Sequence, residues 1–135
     1  MRKVVIDASI ALKWLTKEKE ENVSLARKIY TWLVSGEIEV WAPDFLLVEV
    51  VNILVMKKKV ERIKTLRLIK RLTQRNIHFT TFEPTDITKI SRIMFDHHVS
   101  AYDAQYIHLA KRLKCKLITT DKKLLTIKRL TIPII

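Results

Sequence analysis

The apolar positions change their period repeatedly along the chain. Residues 3–6 form a short, nearly continuous run that stops at Asp7 and reads as a buried strand, and residues 9–15 follow with helical character. A charged turn, KEKEEN, leads to a helix over 23–34 that Gly36 ends. Residues 37–42 read as a second strand. Pro43 suits the first turn of the next helix, which runs to about residue 56. A further helix over 60–75 takes Val60, Ile63, Leu66, Ile69 and Leu72 as its buried stripe. Residues 77–82 alternate and are rich in β-formers, a third strand. Glu83-Pro84-Thr85 is a turn in which Thr85 can cap a helix over 86–95, and Ser100 starts another that reaches residue 113. Residues 116–120 give a fourth strand and 130–134 a fifth. Strands alternating with helices predict an α/β fold with a mostly parallel sheet and helices on both faces, one domain spanning 1–135.

One stretch breaks the pattern. LLVEVVNILV, residues 46–55, is apolar except for Glu49 and Asn52. A carboxylate on a buried helix is costly unless it is paired, protonated or bound to a cation. The partner has to come from elsewhere in the chain.

Composition narrows the choice. Hydrophobic residues make up 48% of the 135 and charged residues 30%, the balance of a folded globular chain. No apolar run approaches the length of a membrane span, and the N-terminal segment, with Asp7 inside it, reads as a strand and helix start rather than a signal peptide. The single cysteine, Cys115, excludes an internal disulfide and fits the cytoplasm. The single glycine, Gly36, excludes both glycine-rich phosphate cradles, G-x-x-x-x-G-K-[ST] and G-x-G-x-x-G. The net charge is +12, with Lys57, Lys58, Lys59, Arg62, Lys64, Arg67, Lys70, Arg71 and Arg75 opposed only by Glu61. So one-sided a run points to a polyanionic partner, most simply the phosphates of nucleic acid.

Four acids fall where open parallel sheets place ligands, outside the carboxyl ends of the strands. Asp7 ends the first strand, Asp121 ends the fourth, Asp103 lies in the first turn of the helix leading to the fourth, and Glu49 is in the helix after the second. Each has a plainer explanation. Asp7 and Asp121 can cap short helices, and Asp103 completes a capping box begun by Ser100. Taken together, four convergent carboxylates repel one another and raise one another's pKa values, and a divalent cation removes that penalty. Oxygen-only donors favour Mg²⁺ or Mn²⁺. Asn52, a turn beyond Glu49, can orient a carboxylate or a water. A basic surface around an acidic pocket is the arrangement that phosphodiester hydrolysis requires.

VVIDASIALKWL, VEVVN, SAYDAQYIHLAKRL and LITTDKKL, in this order and at these spacings, resemble the motifs of PIN-domain proteins, in particular the VapC-like toxin ribonucleases of toxin–antitoxin pairs. The resemblance spans nearly the whole chain. It implies a five-stranded parallel sheet with the first and fourth strands adjacent, and a Mg²⁺- or Mn²⁺-dependent endoribonuclease. It matches Asp7, Glu49, Asp103 and Asp121 to the acidic metal-binding positions, with Asp7 and Asp103 as the most direct ligands. Ser9, Thr119 and Asn52 match supporting positions. It further implies a homodimer and a small antitoxin whose segment plugs the acidic pocket. Lys57, Lys58, Lys59, Arg62, Arg67 and Arg71 are the candidate RNA contacts. One departure is Asp96-His97-His98-Val99, where relatives often carry a glycine; both histidines read as surface or turn residues. Trp14, Trp32 and Trp41 read as core or dimer contacts rather than platforms for bases.

Three other functions compete. The same fold serves RNA processing outside a toxin pair. A non-catalytic nucleic-acid-binding domain explains the basic helix but leaves Glu49 without a reason. A receiver domain needs an aspartate at the end of the third strand, where Phe79-Thr80-Thr81-Phe82 offers none.

Overall fold

In a computed structural model of the chain, residues 2–16, 23–127 and 131–132 are described. β1 (Arg2–Ile6) is central and pairs in parallel with β2 (Ile38–Pro43) on one side and β4 (Lys116–Ile118) on the other. β3 (Ile77–Thr80) lies outside β2. These four strands, ordered β3-β2-β1-β4, make the body of the sheet, and a two-residue fifth, β5 (Thr131–Ile132), extends it beside β4. The span expected for the fifth strand was longer, but its remaining residues, like the KEKEEN turn, lie outside the described ones. The β1–β4 adjacency agrees with expectation. It is also the point where the strand order reverses, the crevice in which open parallel sheets bind ligands.

The helices are α1 (Ala8–Leu15), α2 (Val23–Ser35), α3 (Phe45–Asn52), α4 (Arg62–Thr73), α5 (Asp86–His97), α6 (Ala101–Leu113) and α7 (Lys122–Leu125). Right-handed crossovers running in opposite directions from β1 place α1–α4 against one face of the sheet and α5–α6 against the other. α1 packs on α2, α3 and α4, and α6 lies across β1, β2 and β4. Between them Val5, Ile6, Ile10, Leu46, Leu72, Tyr106, Ile107 and Leu117 are wholly buried. Gly36 ends α2 as expected: at φ 79° it closes a Schellman turn in which Glu37 N–H donates to the Trp32 carbonyl and Gly36 N–H to the Leu33 carbonyl.

Four expectations are corrected. Pro43 is the last residue of β2, not the first turn of a helix. Asp44 N–H donates to the Thr80 carbonyl of β3, so the nitrogen of Pro43 points toward β1, whose pairing with β2 has already ended at Val5–Trp41; the missing N–H therefore costs nothing. Thr85 makes no side-chain cap on α5; instead the Asp86 carboxylate accepts from Glu83 N–H at 2.7 Å and meets His108 Nε2 at 3.1 Å, pinning the start of α5 to the middle of α6. The helix expected to run unbroken to residue 56 changes character after Asn52 into a π-helical turn, Ile53–Lys57, in which Lys58 N–H reaches back to Ile53. Finally, α4 begins at Arg62, capped by Glu61, and buries Thr65, Leu68 and Leu72, while Ile63 and Leu66 are 65% and 61% exposed. Leu72 is buried and Val60 and Ile69 pack against the core as expected, but the expected residues recur every three positions, and on a helix of 3.6 residues per turn such a line drifts around the axis, which carries Ile63 and Leu66 to the solvent side and leaves Thr65 and Leu68 on the buried one.

His98 takes a left-handed conformation (φ 54°) at the C-cap of α5, a place that favours glycine, which accounts for the departure from the family motif noted above. Trp14, Trp32 and Trp41 are partly buried against the core.

The phase of α4 is testable. Leu72→Ala should destabilise the fold by about 2–5 kcal/mol, whereas Leu66→Ala should change it by less than about 0.5 kcal/mol, as read from urea unfolding midpoints. Equal losses would restore the original stripe.

Candidate active site

Asp7 stands at the meeting of β1, α1 and β4. It is the N-cap of α1, 5% exposed, and both carboxylate oxygens are engaged. Oδ1 accepts from Ser9 N–H at 3.0 Å, Ser9 Oγ–H at 2.5 Å and Ile10 N–H at 3.4 Å. Oδ2 accepts from the Thr119 hydroxyl, which is itself fully buried. Thr119 Oγ1 in turn accepts from Asp121 N–H at 2.9 Å, and Ser9 Oγ from Thr120 N–H at 3.1 Å. Ser9 and Thr119 therefore stitch the ends of β1 and β4 together through one carboxylate. The donors and the positive end of α1 favour the anion. Burial outweighs them, and the Asp7 carboxyl is pushed up to about 6.

The other acids face the same place. Glu49, half-buried on α3, is pushed up to about 7, first by burial and then by the charges of Asp7 and Asp103. Asp103 is raised by burial and by the charge of Asp121. Its N–H donates to Ser100 Oγ at 3.1 Å, so Ser100 caps α6 as expected, the serine half of a capping box. Asp121 caps α7, accepting from Lys123 N–H at 2.8 Å, and is exposed at the rim. The plain explanations and the convergent one thus hold together: caps fix each backbone segment, and the carboxylates of three separate helix starts plus Glu49 share one field.

The puzzle of Glu49 has a partial local answer. Lys57, from the π turn, supplies a weak counter-charge to it. Lys57 is accordingly not only a surface cation. Asn52 does not support the carboxylates as expected; it is exposed and lines an apolar groove with Leu47, Val48, Val51, Val55 and Met56, a rotation away from Glu49 on the same helix.

Sequence reasoning missed two aromatic features. Tyr106 is wholly buried, and its hydroxyl has no hydrogen-bond partner. It approaches Glu49 without reaching bonding geometry, and the surrounding charges of Glu49, Asp7 and Asp103 together with burial push its ionisation up. Its spacing of three from Asp103 on one helix was the available signal. The second is a stack of Phe45 on Tyr102, with ring centroids 5.2 Å apart and planes 11° from parallel. Phe45 lies one helical turn before Glu49, and Tyr102 directly precedes Asp103.

Among the described residues no three acidic, histidine or cysteine side chains lie together closely enough to hold a metal ion. The donor chemistry nonetheless fits a hard divalent cation: all candidate ligands are oxygens, and the raised proton affinities of Asp7, Glu49 and Asp103 are relieved by any bound positive charge.

The PIN-domain profile matches residues 4–130, and the chain belongs to the PIN-domain family. No curated protein matches it. Its fold is similar to the crystal structure of PAE2754 from Pyrobaculum aerophilum (TM-score 0.67, 19% identity, covering 97% of this chain and 88% of that one). It is also similar to VapC20 of Mycobacterium tuberculosis, a toxin that cleaves the sarcin–ricin loop (TM-score 0.72, 10% identity, 92% and 94% covered). A third is VapBC2 of Rickettsia felis, solved with a DNA fragment from its promoter (TM-score 0.66, 10% identity, 95% and 92% covered). No helix among the described residues is long and apolar enough to cross a membrane.

Asp7 and Glu49 hold protons more tightly in the folded chain than their ordinary values of 3.8 and 4.5. Between about pH 4 and about pH 7 the folded state therefore binds more protons than the unfolded one, and without divalent cations stability should fall as pH rises through this window, then level off. Glu49→Gln should be more stable than wild type by about 1–2 kcal/mol at pH 8 and equal to it near pH 4. Urea melts in EDTA at the two pH values decide this; a variant less stable at pH 8 would mean that Glu49 is held by a favourable partner instead.

Proposed function

We propose that this chain is a Mg²⁺- or Mn²⁺-dependent endoribonuclease, the toxin of a type II toxin–antitoxin pair, acting in the cytoplasm as one nuclease domain over residues 1–135. The observation that carries the reading is the convergence of Asp7, Glu49, Asp103 and Asp121 on the β1–β4 switch point, with Glu49 responding to the charges of both Asp7 and Asp103. A divalent ion held by these four would supply Lewis acidity and positive charge at the scissile phosphate. The chain's own part is positional. Ser9 and Thr119 fix the direction of the Asp7 carboxylate, and Ser100 fixes the first turn carrying Asp103. Burial on α3 holds Glu49 opposite both. The basic surplus draws the polyanion toward a pocket that would otherwise repel it.

The solved VapBC complex makes a small antitoxin the natural partner, and a basic side chain from it would neutralise the acidic pocket. The cationic face of π turn and α4, with Lys57, Lys58, Lys59, Arg62, Arg67 and Arg71, remains the proposed RNA-facing surface. Beside it, Leu47, Val48, Val51, Val55 and Met56 of α3 and the π turn line an apolar groove, which supports a homodimer that leaves the cationic face of α4 free.

Purified protein should cut a long single-stranded RNA with Mn²⁺ or Mg²⁺ and stop in EDTA. Asp103→Asn should lower the rate by about two orders of magnitude or more; equal cutting by both proteins would assign the activity to a contaminant. Tight RNA binding without cleavage would favour the non-catalytic binding domain. The dimer is checked separately: Met56→Glu should sediment as a monomer at concentrations where wild type sediments as a dimer.

A further inference from the structure

The Phe45–Tyr102 stack is more than a contact between two helices. Phe45 lies half-buried beneath, and Tyr102, 58% exposed, lies outermost. One ring face of Tyr102 is covered by Phe45, and its remaining surface opens to solvent beside the residue that carries the Asp103 carboxylate. We propose that Tyr102, backed by Phe45, is a stacking platform for one unpaired nucleobase of the RNA, at the rim of the acidic pocket. The inference rests on the ribonuclease reading and adds to it the place where the substrate is gripped.

The physical need for such a grip is local. The pocket is acidic: Lys57 and Lys123 act on its carboxylates, yet Glu49 and Asp103 keep a raised affinity for protons, so a phosphodiester close to them meets net repulsion. A base presents a neutral π face that binds an aromatic ring whatever the charges beside it. In a duplex both faces of each base are already covered, so an open single platform selects single-stranded RNA, loops and bulges, the forms in which bases are free to stack on protein rings. A parallel pair offset at this separation continues naturally into a third ring. Packing α3 against α6 would be served equally by an aliphatic side chain at position 102, which gives the two roles different consequences on substitution.

Short single-stranded RNAs carrying 2-aminopurine at each position in turn would be bound to the full chain bearing Asp103→Asn, in Mg²⁺, where cleavage is suppressed. At one position the 2-aminopurine should be quenched on binding. Tyr102→Leu should abolish that quench and weaken binding about 10-fold, the scale of one lost base–aromatic stack, while Tyr102→Phe keeps both. An abasic nucleotide at the quenched position should weaken binding by the same factor to the Tyr102 protein and not at all to Tyr102→Leu. Should Tyr102→Leu melt early, Tyr102→Met, which also lacks a ring, takes its place in both comparisons. RNA that binds with no quenched position, or with equal affinity for the Leu and Phe variants, overturns the platform alone, provided wild type still cuts RNA. If wild type neither binds nor cuts RNA, the platform and the ribonuclease reading fall together.

Discussion

Everything at the functional end of this fold depends on one buried hydrogen bond that crosses the sheet, from the Thr119 hydroxyl to the Asp7 carboxylate. The two residues are 112 positions apart, at the ends of β1 and β4. A carboxylate this deeply buried is tolerable only because the chain surrounds it with donors, and those donors come from both sides of the seam: Ser9 and Ile10 from α1, Thr119 from β4. The bond therefore does two jobs at once. It closes the switch point of the sheet, and it fixes a buried aspartate whose charge acts on Glu49.

The economy of the site lies in this double use. Asp7, Asp103 and Asp121 each sit in the first turn or at the cap of a helix, where a carboxylate stabilises local structure in its own right. Folding brings three such turns to one edge, and the caps offset part of what burial costs Asp7 and Asp103. Glu49 is different. It caps nothing, and burial and two neighbouring anions oppose its charge, with only Lys57 and the Tyr106 hydroxyl acting the other way. It is the residue whose position no rule of local stability explains, and so it argues most strongly that the cluster is kept for chemistry.

How much of this was legible in the sequence follows from which forces are local. The order of strands and helices, the Ser100 cap and the chain reversal at Gly36 are written in neighbouring residues and were read correctly, whereas the ends of β2, β3 and β4 and the cap at Thr85 were not. The family motifs then placed the four acids on the right elements. What failed depended on tertiary phase. Ile63 and Leu66 follow Val60 at a spacing of three, which drifts around a helix of 3.6 residues per turn, so the side that is buried is decided by which face of α4 meets the core. Pro43 reads as a helix opener until one knows that its neighbour strand has already ended. Asn52 looks like a companion of Glu49, yet its side chain faces the apolar groove. The Phe45–Tyr102 pair joins residues 57 positions apart in sequence, beyond the reach of any spacing rule.

The π turn after Asn52 carries a consequence for comparing this chain with others. A π turn accommodates one residue more than an α-turn of the same rise, so residues beyond it are rotated by about 100° relative to an uninterrupted helix. Val55, Met56 and Lys57 thus face directions that an alignment by helical position would assign to their neighbours. A relative that lacks the extra residue would present a different set of side chains around Glu49 while sharing every motif.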